Sequence, residues 1–374
     1  MTLKAVIVYP HLPHYRREIF ELLDGNATLD LTFVADDSSR DGSILTIPGH
    51  RFRDFRVVHN RWFGRFLWQK GLLSFLLRSH ADVVIFLGDV SFLSTWLGAA
   101  ITRLRGSRVL FWTIGWHRPE RGLRRASRLL FYALAHRLLL YGDVARSLGE
   151  QMGYPERKMA VIYNSSSAAA TLPEAPSHDL ADLRRSLPSG ERPIATAVIR
   201  LNPVKRLDLL VQAAGVLIER GFPVDVVLAG SGPELEALQA LAQSLGVRLY
   251  TPGPVYEESA LQLIYNLTDV TVVPSVAGLT VLQSLRYGKP VITHDNIYEQ
   301  APESEAIIPG RTGDYYRHGD VDSLASAMER WLTRTTDQKQ VTARECRESI
   351  RDRWSAPAQH RLILAEIQRT TRKG

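Results

Sequence analysis

Two series of short apolar runs, each alternating with helical patterns, constrain the fold of this chain more than any other feature. The first series extends from residues 5–9 to residues 160–163, and the second extends from residues 194–199 to residues 290–293. A stretch rich in serine, alanine and proline separates them. Strands that alternate with helices form parallel sheets with helices on both faces. The sequence therefore predicts an α/β protein with two doubly wound domains.

A length of 374 residues also favours two domains over a single core. Ligands of such sheets bind at the carboxyl ends of the strands, so the loops that follow the strands are the candidate site loops. We expect an N-terminal domain over residues 1–164, a linker over 165–191 with a short helix at 179–186, a C-terminal domain over 192–354 and a terminal helix within 355–374.

The net charge of +7 is concentrated in the first half of the chain. Residues 1–175 contain 23 basic and 15 acidic residues, whereas residues 176–374 contain 23 and 24. The span from Arg51 to Arg128 contains 15 basic and 4 acidic residues, and aromatic residues are interleaved with its arginines. This mixture predicts binding to an anionic membrane surface, and an arginine-rich solvated face is the alternative. Nucleic acid is not expected as a partner, because no recognition motif accompanies the charge.

Three features bear on the compartment. Residues 83–101 approach the length of a membrane span, but Gly88 and Asp89 divide them, so we expect a strand, a loop and a helix. The single cysteine, Cys346, excludes an internal disulfide framework and indicates a reducing compartment. The first residues lead directly into a strand without a secretory-signal pattern. We therefore expect a cytoplasmic protein, peripheral on the inner face of the membrane.

Residues 274–291 form the most informative local motif. They read as a loop after a buried strand, followed by a helix that begins near Gly278 and is ended by Gly288 and Pro290. The N-terminus of a helix directs free backbone N–H groups and the positive end of the helix dipole at one point. This arrangement suits a phosphate group.

The same motif resembles the donor-sugar motif of the family 4 glycosyltransferases, which are retaining enzymes of the GT-B fold. In that family two glutamates lie eight positions apart, and here those positions hold Ser275 and Gln283. The chain is similar to a bacterial polysaccharide or O-antigen-type subgroup in which these positions vary. The resemblance implies two Rossmann-like domains that face each other across a central crevice. The first would bind the acceptor, the second would bind a nucleotide-sugar donor, and the terminal helix would cross back to the first.

Arg200 and Lys205 lie in a segment that is similar to the family's Gly-Arg-Leu-x-x-x-Lys-Gly, with Ile199 and Arg206 in place of the glycines. An Arg and a Lys at a strand-to-helix turn can hold a diphosphate from two sides and neutralise the charge that develops on it. A surface pair that caps a helix is the alternative. The resemblance implies a larger set of donor-binding residues, comprising Arg200, Lys205, Gly230, Gly232, Pro254, Ser275, Gly278, Leu279, Thr280 and Gln283.

The two substituted positions change the expected chemistry. The amide of Gln283 can accept a hydrogen bond from a ribose hydroxyl, although more weakly than a carboxylate. Ser275 can bond a sugar hydroxyl but cannot stabilise a cationic anomeric carbon. Catalytic work is therefore expected to move to Arg200 and Lys205. Further along the chain, Glu303 and Glu305 are expected either to bind sugar hydroxyls or to lie on a solvated loop.

In the first domain the resemblance implies a catalytic histidine near the donor sugar in the loop after a strand, but the usual position holds Ile114. His117, one turn later, is the expected catalytic histidine, with a surface histidine as the alternative. His11, His14 and Asp89 are acceptor-binding candidates, and each could equally be a hydrogen-bonding residue at a loop end. No metal site is expected, because the histidines do not cluster with cysteine. Neutralisation of the diphosphate by Arg and Lys makes a metal unnecessary, so no cofactor is expected.

The function expected from the sequence is retaining transfer of a sugar from a nucleotide-diphosphate donor to a glycan or lipid-linked saccharide. This chemistry would serve the synthesis of bacterial cell-surface polysaccharide or glycoconjugate. Two alternatives remain at this point. The first is a non-catalytic subunit that binds sugar nucleotides or glycans, which the loss of both glutamates favours. The second is a nucleotide-sugar epimerase of the same GT-B fold.

Overall fold

The computed structural model describes residues 2–40, 45–165, 179–189 and 191–371. Much of the predicted linker, residues 166–178 and Gly190, lies outside this description. The chain divides into two compact units. Unit 1 is formed within residues 1–167 and 355–374, and unit 2 is formed within residues 168–354.

Unit 1 contains a parallel sheet of seven described strands and a separate antiparallel hairpin. In chain order, the strands of unit 1 are β1 (Leu3–His11), β2 (Leu29–Asp36), β3 (Phe55–Val57), β4 (His59–Phe63), β5 (Phe66–Lys70), β6 (Val83–Leu87), β7 (Arg108–Thr113), β8 (Arg137–Leu140) and β9 (Met159–Val161). The sheet order is β3-β2-β1-β6-β7-β8-β9, and β4 pairs only with β5 in the hairpin. This is the doubly wound order of a Rossmann-like domain, as predicted.

Helices cover both faces of the unit 1 sheet. In chain order they are α1 (Arg17–Asp24), α2 (Leu72–Arg78), α3 (Leu93–Leu104), α4 (Gly122–Ala133) and α5 (Asp143–Gln151). Apolar residues of α1 pack against one face of the sheet, and those of α2 to α5 pack against the other. Residues 83–101 are β6, a loop and most of α3, as predicted. Among the described helices, none combines the length and apolar character needed to cross a bilayer.

Unit 2 repeats the plan with a parallel sheet of six described strands. Its strands are β10 (Ile194–Val198), β11 (Asp225–Ala229), β12 (Arg248–Tyr250), β13 (Val270–Val272), β14 (Val291–His294) and β15 (Gly313–Tyr316). The sheet order is β12-β11-β10-β13-β14-β15, again a Rossmann-like order. Strands β10, β11, β13 and β14 are almost entirely buried, because helices cover both faces of the parallel sheet, whereas the edge strands β12 and β15 are partly exposed.

The helices of unit 2 fall on two faces as well. They are α6 (Leu180–Arg185), α7 (Leu207–Glu219), α8 (Leu235–Ser244), α9 (Glu258–Leu267), α10 (Leu279–Arg286), α11 (Val321–Leu332) and α12 (Thr336–Arg351). One core lies under α7, α8 and α11, and a second lies under α6 and α9. Leu183 and Leu187 are buried in the second core. The short helix that the sequence places in the linker therefore packs as part of unit 2.

The last helix, α13 (Ala356–Thr371), belongs to unit 1. Its buried residues Ile363 and Ile367 join the core on the α1 face of the sheet. The Gln359 amide nitrogen donates to the Tyr163 carbonyl, and the Ser165 hydroxyl donates to the Gln359 amide oxygen over 2.7 Å. The C-terminal helix therefore completes the N-terminal domain.

Candidate functional site

The strand order of unit 2 reverses between β10 and β13, which are neighbours in the sheet. In an open α/β sheet, ligands bind outside the carboxyl ends of the strands at such a switch point. Arg200 follows β10 and Ser275 follows β13. The sheet order therefore brings the two predicted donor-binding segments to the same place.

The N-terminus of α10 opens at this point. Gly278 directly precedes the helix, and Leu279 and Thr280 belong to its first turn. Amides of a first turn have no carbonyl partner within the helix, and the helix dipole adds positive potential there. A Cβ atom placed on Gly278 would meet no atom within 4 Å beyond its chain neighbours. The helix start is therefore open and suited to an anion.

The loop that leads into α10 is held by side chains that the sequence did not single out. The buried Gln300 accepts a hydrogen bond from the Ala277 amide over 2.9 Å and donates to the Thr293 hydroxyl over 2.8 Å. The Tyr316 hydroxyl donates to the Pro274 carbonyl over 2.5 Å. These bonds tie the loop to β14 and β15, so the backbone at the helix start is fixed before any ligand arrives. Such support comes from residues 20 or more positions away, and no local pattern marks it.

Lys205 reaches the same loop from the β10 side. It ends a short 3₁₀ helix, Pro203–Lys205, and its ammonium donates to the Val276 carbonyl over 3.2 Å. The side chain is half-buried, and this burial lowers the pKa of Lys205 below its ordinary value. The structure therefore brings a partly desolvated cation beside the residues that precede α10.

Arg206, at a position where the sequence resemblance implies a glycine, adopts the left-handed conformation with φ +49° and ψ +41°. A side chain in this region costs about 1 kcal/mol, which explains why glycine suits the position. The guanidinium of Arg206 is paired with the Asp208 carboxylate at 3.0 Å. Arg206 thus adopts a backbone conformation that favours glycine, and its guanidinium is paired with Asp208.

Arg200 is exposed and lies on the segment that connects β10 to the 3₁₀ helix. The turn that contains Gly230 and Gly232 runs directly beside this segment. A Cβ atom on Gly230 would lie 1.9 Å from the Ile199 carbonyl oxygen, and one on Gly232 would lie 2.1 Å from the Leu201 carbonyl oxygen. These glycines are therefore required by the close approach of two backbone segments, and that approach places the turn beside Arg200.

The remaining donor candidates lie on α10, on the loop before it and after β12. Gln283 is half-buried in α10, and its amide oxygen accepts a bond from the Tyr265 hydroxyl over 3.5 Å, at the outer limit of hydrogen bonding. Ser275 is half-buried in the loop before α10. Pro254 lies after β12, two strands away from β10, next to the buried Val255. Pro254 is thus the predicted residue that the sheet places furthest from the switch point.

Glu303 and Glu305 belong to a 3₁₀ helix, Pro302–Ala306, that contacts α10. Glu303 is buried, so the solvated-loop alternative is wrong for this residue. Glu305 is half-buried. Burial of Tyr315 and the nearby Glu305 carboxylate raise the pKa of Tyr315 to about 12. Both carboxylates therefore lie on a 3₁₀ helix that packs next to α10.

His294, at the end of β14, is a buried residue at this edge that has no assigned role. Its ring lies 4.3 Å from the ring of His318, and its Nδ1 accepts a bond from the Asn296 amide over 3.2 Å. Burial, together with the nearby His318, lowers the pKa of His294 to about 4. The side chain is therefore neutral at physiological pH and serves as an acceptor within the fold.

In unit 1 the four predicted residues lie at the ends of strands or in the loops that follow them, on the carboxyl edge of the sheet. His11 ends β1, and His14 lies three residues later with its Nδ1 3.1 Å from the Leu45 carbonyl oxygen. The exposed Asp89 follows β6 and accepts bonds from the Ser91 amide and hydroxyl over 2.8 and 2.6 Å. Asp89 thus makes hydrogen bonds at the loop end, which are compatible with both roles expected for it.

His117 follows β7 and is exposed. Partial desolvation and the neighbouring Arg128, Arg118 and Arg124 guanidiniums nevertheless lower its pKa. Arg128 is itself held by the buried Glu120, with Arg128 Nε 2.7 Å from a carboxylate oxygen. The lowered pKa favours the neutral form of the His117 imidazole.

Comparison with known proteins agrees with this geometry. Residues 181–349 match the family Glycosyl transferases group 1, and these residues cover the switch point and α10. The chain is 30% identical over 196 residues to a GDP-mannose-dependent alpha-(1-6)-phosphatidylinositol monomannoside mannosyltransferase of Mycolicibacterium smegmatis, covering 47% of this chain and 50% of that protein. It is 28% identical over 252 residues to a D-inositol 3-phosphate glycosyltransferase of Rhodococcus erythropolis, covering 64% and 55%. The chain thus spans about half the length of these curated relatives.

The fold is shared over a wider span than the sequence. The crystal structure of Anabaena HepE in complex with UDP matches 99% of this chain and 100% of its own, with a TM-score of 0.73 and 15% identity. At this identity the match establishes the fold alone. The predicted GT-B class, with two Rossmann-like units, is therefore confirmed.

Proposed function

We propose that this chain is a retaining glycosyltransferase that moves a sugar from a nucleotide-diphosphate donor to a glycan or lipid-linked saccharide. The reaction would serve bacterial cell-surface polysaccharide or glycoconjugate synthesis. The observation that carries the proposal is the convergence of Lys205, the Arg200 segment and the open N-terminus of α10 at the switch point of unit 2. HepE, which shares the fold, was crystallised in complex with UDP, and this supports a nucleotide as part of the donor.

In this proposal the diphosphate binds the first amides of α10, with Arg200 and Lys205 on its β10 side. Charge develops on the leaving diphosphate as the glycosidic bond breaks, and the two cations and the N-terminus of α10 stabilise it. The acceptor hydroxyl attacks on the face that the diphosphate leaves, and the diphosphate accepts its proton. Neither a metal ion nor another cofactor is required in this scheme, because the protein itself supplies the positive charge.

Unit 1 would supply the acceptor side. We assign His11, His14 and Asp89 to acceptor binding and place His117 near the donor sugar. A neutral His117 can accept a hydrogen bond from a sugar hydroxyl. The basic span from Arg51 to Arg128 would hold the protein on the anionic inner face of the membrane, where a lipid-linked acceptor is found.

A second candidate function is binding of a sugar nucleotide without transfer. It is favoured by one observation, which is that Ser275 and Gln283 provide no carboxylate at either family position. Donor hydrolysis or transfer by the purified protein would exclude this alternative. Donor binding with no turnover across a broad acceptor panel would establish it.

The direct test replaces the two cations. Arg200→Ala and Lys205→Ala should each lower turnover by about tenfold or more, since each removes a charged contact to the leaving group. Arg206→Gly is the matched control, because it removes a neighbouring cation that is already paired with Asp208 and should leave turnover within about twofold. Full activity in both alanine variants would refute the diphosphate assignment.

The donor class can be found by thermal shift with UDP, GDP and TDP sugars. A ligand at about 100 times its dissociation constant adds about 2.7 kcal/mol to the free energy of unfolding, which is a readily measured shift. The stabilising nucleotide identifies the base, and the same shift should be reduced in Lys205→Ala. The absence of a shift with every nucleotide sugar would contradict the proposed donor site.

A further inference from the structure

The hairpin of β4 and β5 is a feature that the proposed transfer chemistry does not use. Its strands pair residue for residue, and side chains alternate between its two faces. Asn60 pairs with Gln69 and Trp62 pairs with Leu67 on the face toward the rest of unit 1, where all four are buried or half-buried. The opposite face consists of three cross-strand pairs: His59 with Lys70, Arg61 with Trp68, and Phe63 with Phe66.

The inner face fixes the direction in which the hairpin points. The Asn60 amide donates to the Asp36 carboxylate over 2.6 Å, and the Gln69 side chain donates to the Tyr9 carbonyl over 2.9 Å. The Leu67 amide donates to the Ser91 carbonyl over 3.1 Å. A two-stranded hairpin is marginal alone, so these bonds hold it at the carboxyl edge of the unit 1 sheet. This is the edge that carries the acceptor candidates.

The outer face changes in character along the hairpin. Phe63 is 62% exposed and Phe66 is 37% exposed at the tip, where Gly64 makes the turn with φ +57°. Arg65 also lies at the tip, and its guanidinium stands 5.1 Å from the centre of the Phe66 ring. Towards the base come Arg61 with Trp68, then His59 with Lys70. The segment from 59 to 70 contains three arginines or lysines and no acidic residue.

Helix α3 begins beside the hairpin. The Trp62 and Phe92 rings meet at 6.1 Å directly before the helix begins, on the inner face of the hairpin. The exposed leucines of α3 extend away from the carboxyl edge, because a helix that follows a parallel strand runs back along the sheet. The apolar side chains that face solvent at the hairpin tip are therefore Phe63 and Phe66.

We propose that the hairpin from His59 to Lys70 inserts its tip into an anionic phospholipid bilayer. Phe63 and Phe66 would enter the boundary between headgroups and acyl chains, with Trp68 at the interface. Arg61, Arg65 and Lys70 would lie at the level of the lipid phosphates. The inference deepens the proposed membrane partner and rests on the proposed transfer to a lipid-linked acceptor, since it places the acceptor edge of unit 1 on the lipid.

Aromatic side chains also stack on sugars, so a soluble glycan is the competing occupant. The residues of the hairpin argue against it. Recognition of a glycan needs amide or carboxylate groups beside the rings, but Asn60 and Gln69 face inward and are bonded there. Between its aromatic rings the outer face offers Arg61 and Lys70, with His59 at the base, and the two cations match phosphate.

The test is co-sedimentation with vesicles of phosphatidylcholine and phosphatidylglycerol. The double variant Phe63→Ser with Phe66→Ser should lower the partition coefficient by about tenfold, because it removes the inserted rings. The matched control is Leu180→Ser with Val341→Ser, which changes two exposed aliphatic residues of unit 2, outside the basic span, and should lower binding by less than about twofold. Unchanged binding of the phenylalanine variant, or an equal loss in the control variant, would overturn the inference.

Two further measurements separate insertion from charge and from the glycan. The tryptophan fluorescence of a Phe66→Trp variant should be quenched by brominated lipid. Arg61→Gln with Lys70→Gln should lower the affinity for anionic vesicles by about fivefold for each charge removed. The thermal shift by the donor should be unchanged in all these variants, so loss of the membrane contact is distinguishable from loss of the proposed function. Normal vesicle binding by the phenylalanine variant, with a raised KM for a soluble glycan acceptor, would assign the hairpin to the glycan instead.

Discussion

The two units share a Rossmann-like strand order, but they finish the carboxyl edge of the sheet in different ways. In unit 2 the edge is closed by short turns that touch backbone to backbone, as at Gly230, and by buried side chains that hold the loop before α10. In unit 1 a hairpin of 12 residues, His59 to Lys70, is added at the same edge and exposes aromatic rings and cations. One edge is fixed from within, and the other projects outward.

This difference separates the role of the strand order from the role of the segments at the edge of the sheet. The strand order sets the place of each site, because it decides where the chain reverses at the sheet. The added or shortened segments then decide what can bind there. A tight edge with a helix start suits one small charged group, whereas a projecting hairpin suits an extended surface. The experiments below measure how far the two edges differ, from the largest expected effect to the smallest.

Glycine substitution should affect the two edges unequally. Gly230→Ala places a Cβ atom 1.9 Å from the Ile199 carbonyl oxygen, so backbone must move, and we expect a loss of about 3 kcal/mol or more in unfolding free energy. Gly64→Ala at the hairpin tip meets no atom within 4 Å and only strains a positive φ, which costs about 1 kcal/mol. Urea denaturation followed by circular dichroism measures both.

Gly278→Ala serves as the control within unit 2, because it lies at the same edge in open space and should be tolerated in the unfolding measurement. Equal stability of the Gly230 and Gly278 variants would mean that the backbone at Gly230 does not pack tightly against Ile199. The carboxyl edge of unit 2 would then not be more tightly packed than that of unit 1.

Acid should destabilise the buried edge of unit 2 through His294. Its pKa is about 4 in the folded state, against about 6.5 in an unfolded chain, so the unfolded state binds the proton first. The stabilising contribution is complete above pH 6.5 and is lost as pH falls towards 4, by about 3 kcal/mol. His294→Asn keeps an acceptor for the Asn296 amide and should flatten the unfolding free energy over this range.

His136 in unit 1 also has a pKa lowered to about 4 by burial and the nearby Arg103 and Arg108, and its Nδ1 accepts from the Val109 amide. It should therefore supply an acid-sensitive component of its own, away from the carboxyl edge. His136→Asn should remove that component and leave the His294 part in place. A pH profile that is unaltered by His294→Asn would contradict the assignment of a neutral buried His294.

The Rossmann-like strands could be predicted because their signal is local. Runs such as those at β6 and β11 are buried on both faces, so their apolar character is continuous and easily recognised. The motif at α10 was also local, since Gly278 and the loop before it lie within a few residues of the helix. Thus the place of the candidate site followed from spacing along the chain.

The hairpin and the support of the α10 loop could not be predicted in the same way. The tip of the hairpin, Gly64-Arg65, lacks the Asn-Gly or Asp-Gly pair that marks a two-residue turn, and its arginines hide the alternation of faces. The bond between Gln300 and the Ala277 amide joins positions 23 residues apart. Such contacts depend on which strands become neighbours in the folded sheet, and the periodicity of apolar residues does not indicate this.

The smallest effect concerns the pH dependence of donor binding at the tight edge. Burial holds the pKa of Lys205 below its ordinary value, and an adjacent diphosphate would raise it by favouring the charged form. Donor affinity should therefore be constant at neutral pH and fall at alkaline pH, as the free protein loses the Lys205 proton first. Calorimetric titration over this range should show proton uptake on binding.

Lys205→Arg supplies the reference for that experiment, because a guanidinium remains charged and any remaining pH dependence then belongs to the donor itself. Vesicle binding by unit 1 should show no matching fall, since Arg61 and Arg65 also remain charged. If Lys205→Arg keeps the same alkaline decline as the parent protein, Lys205 is not the titrating contact. The positive charge at the tight edge would then have to come from Arg200 and the α10 amides alone.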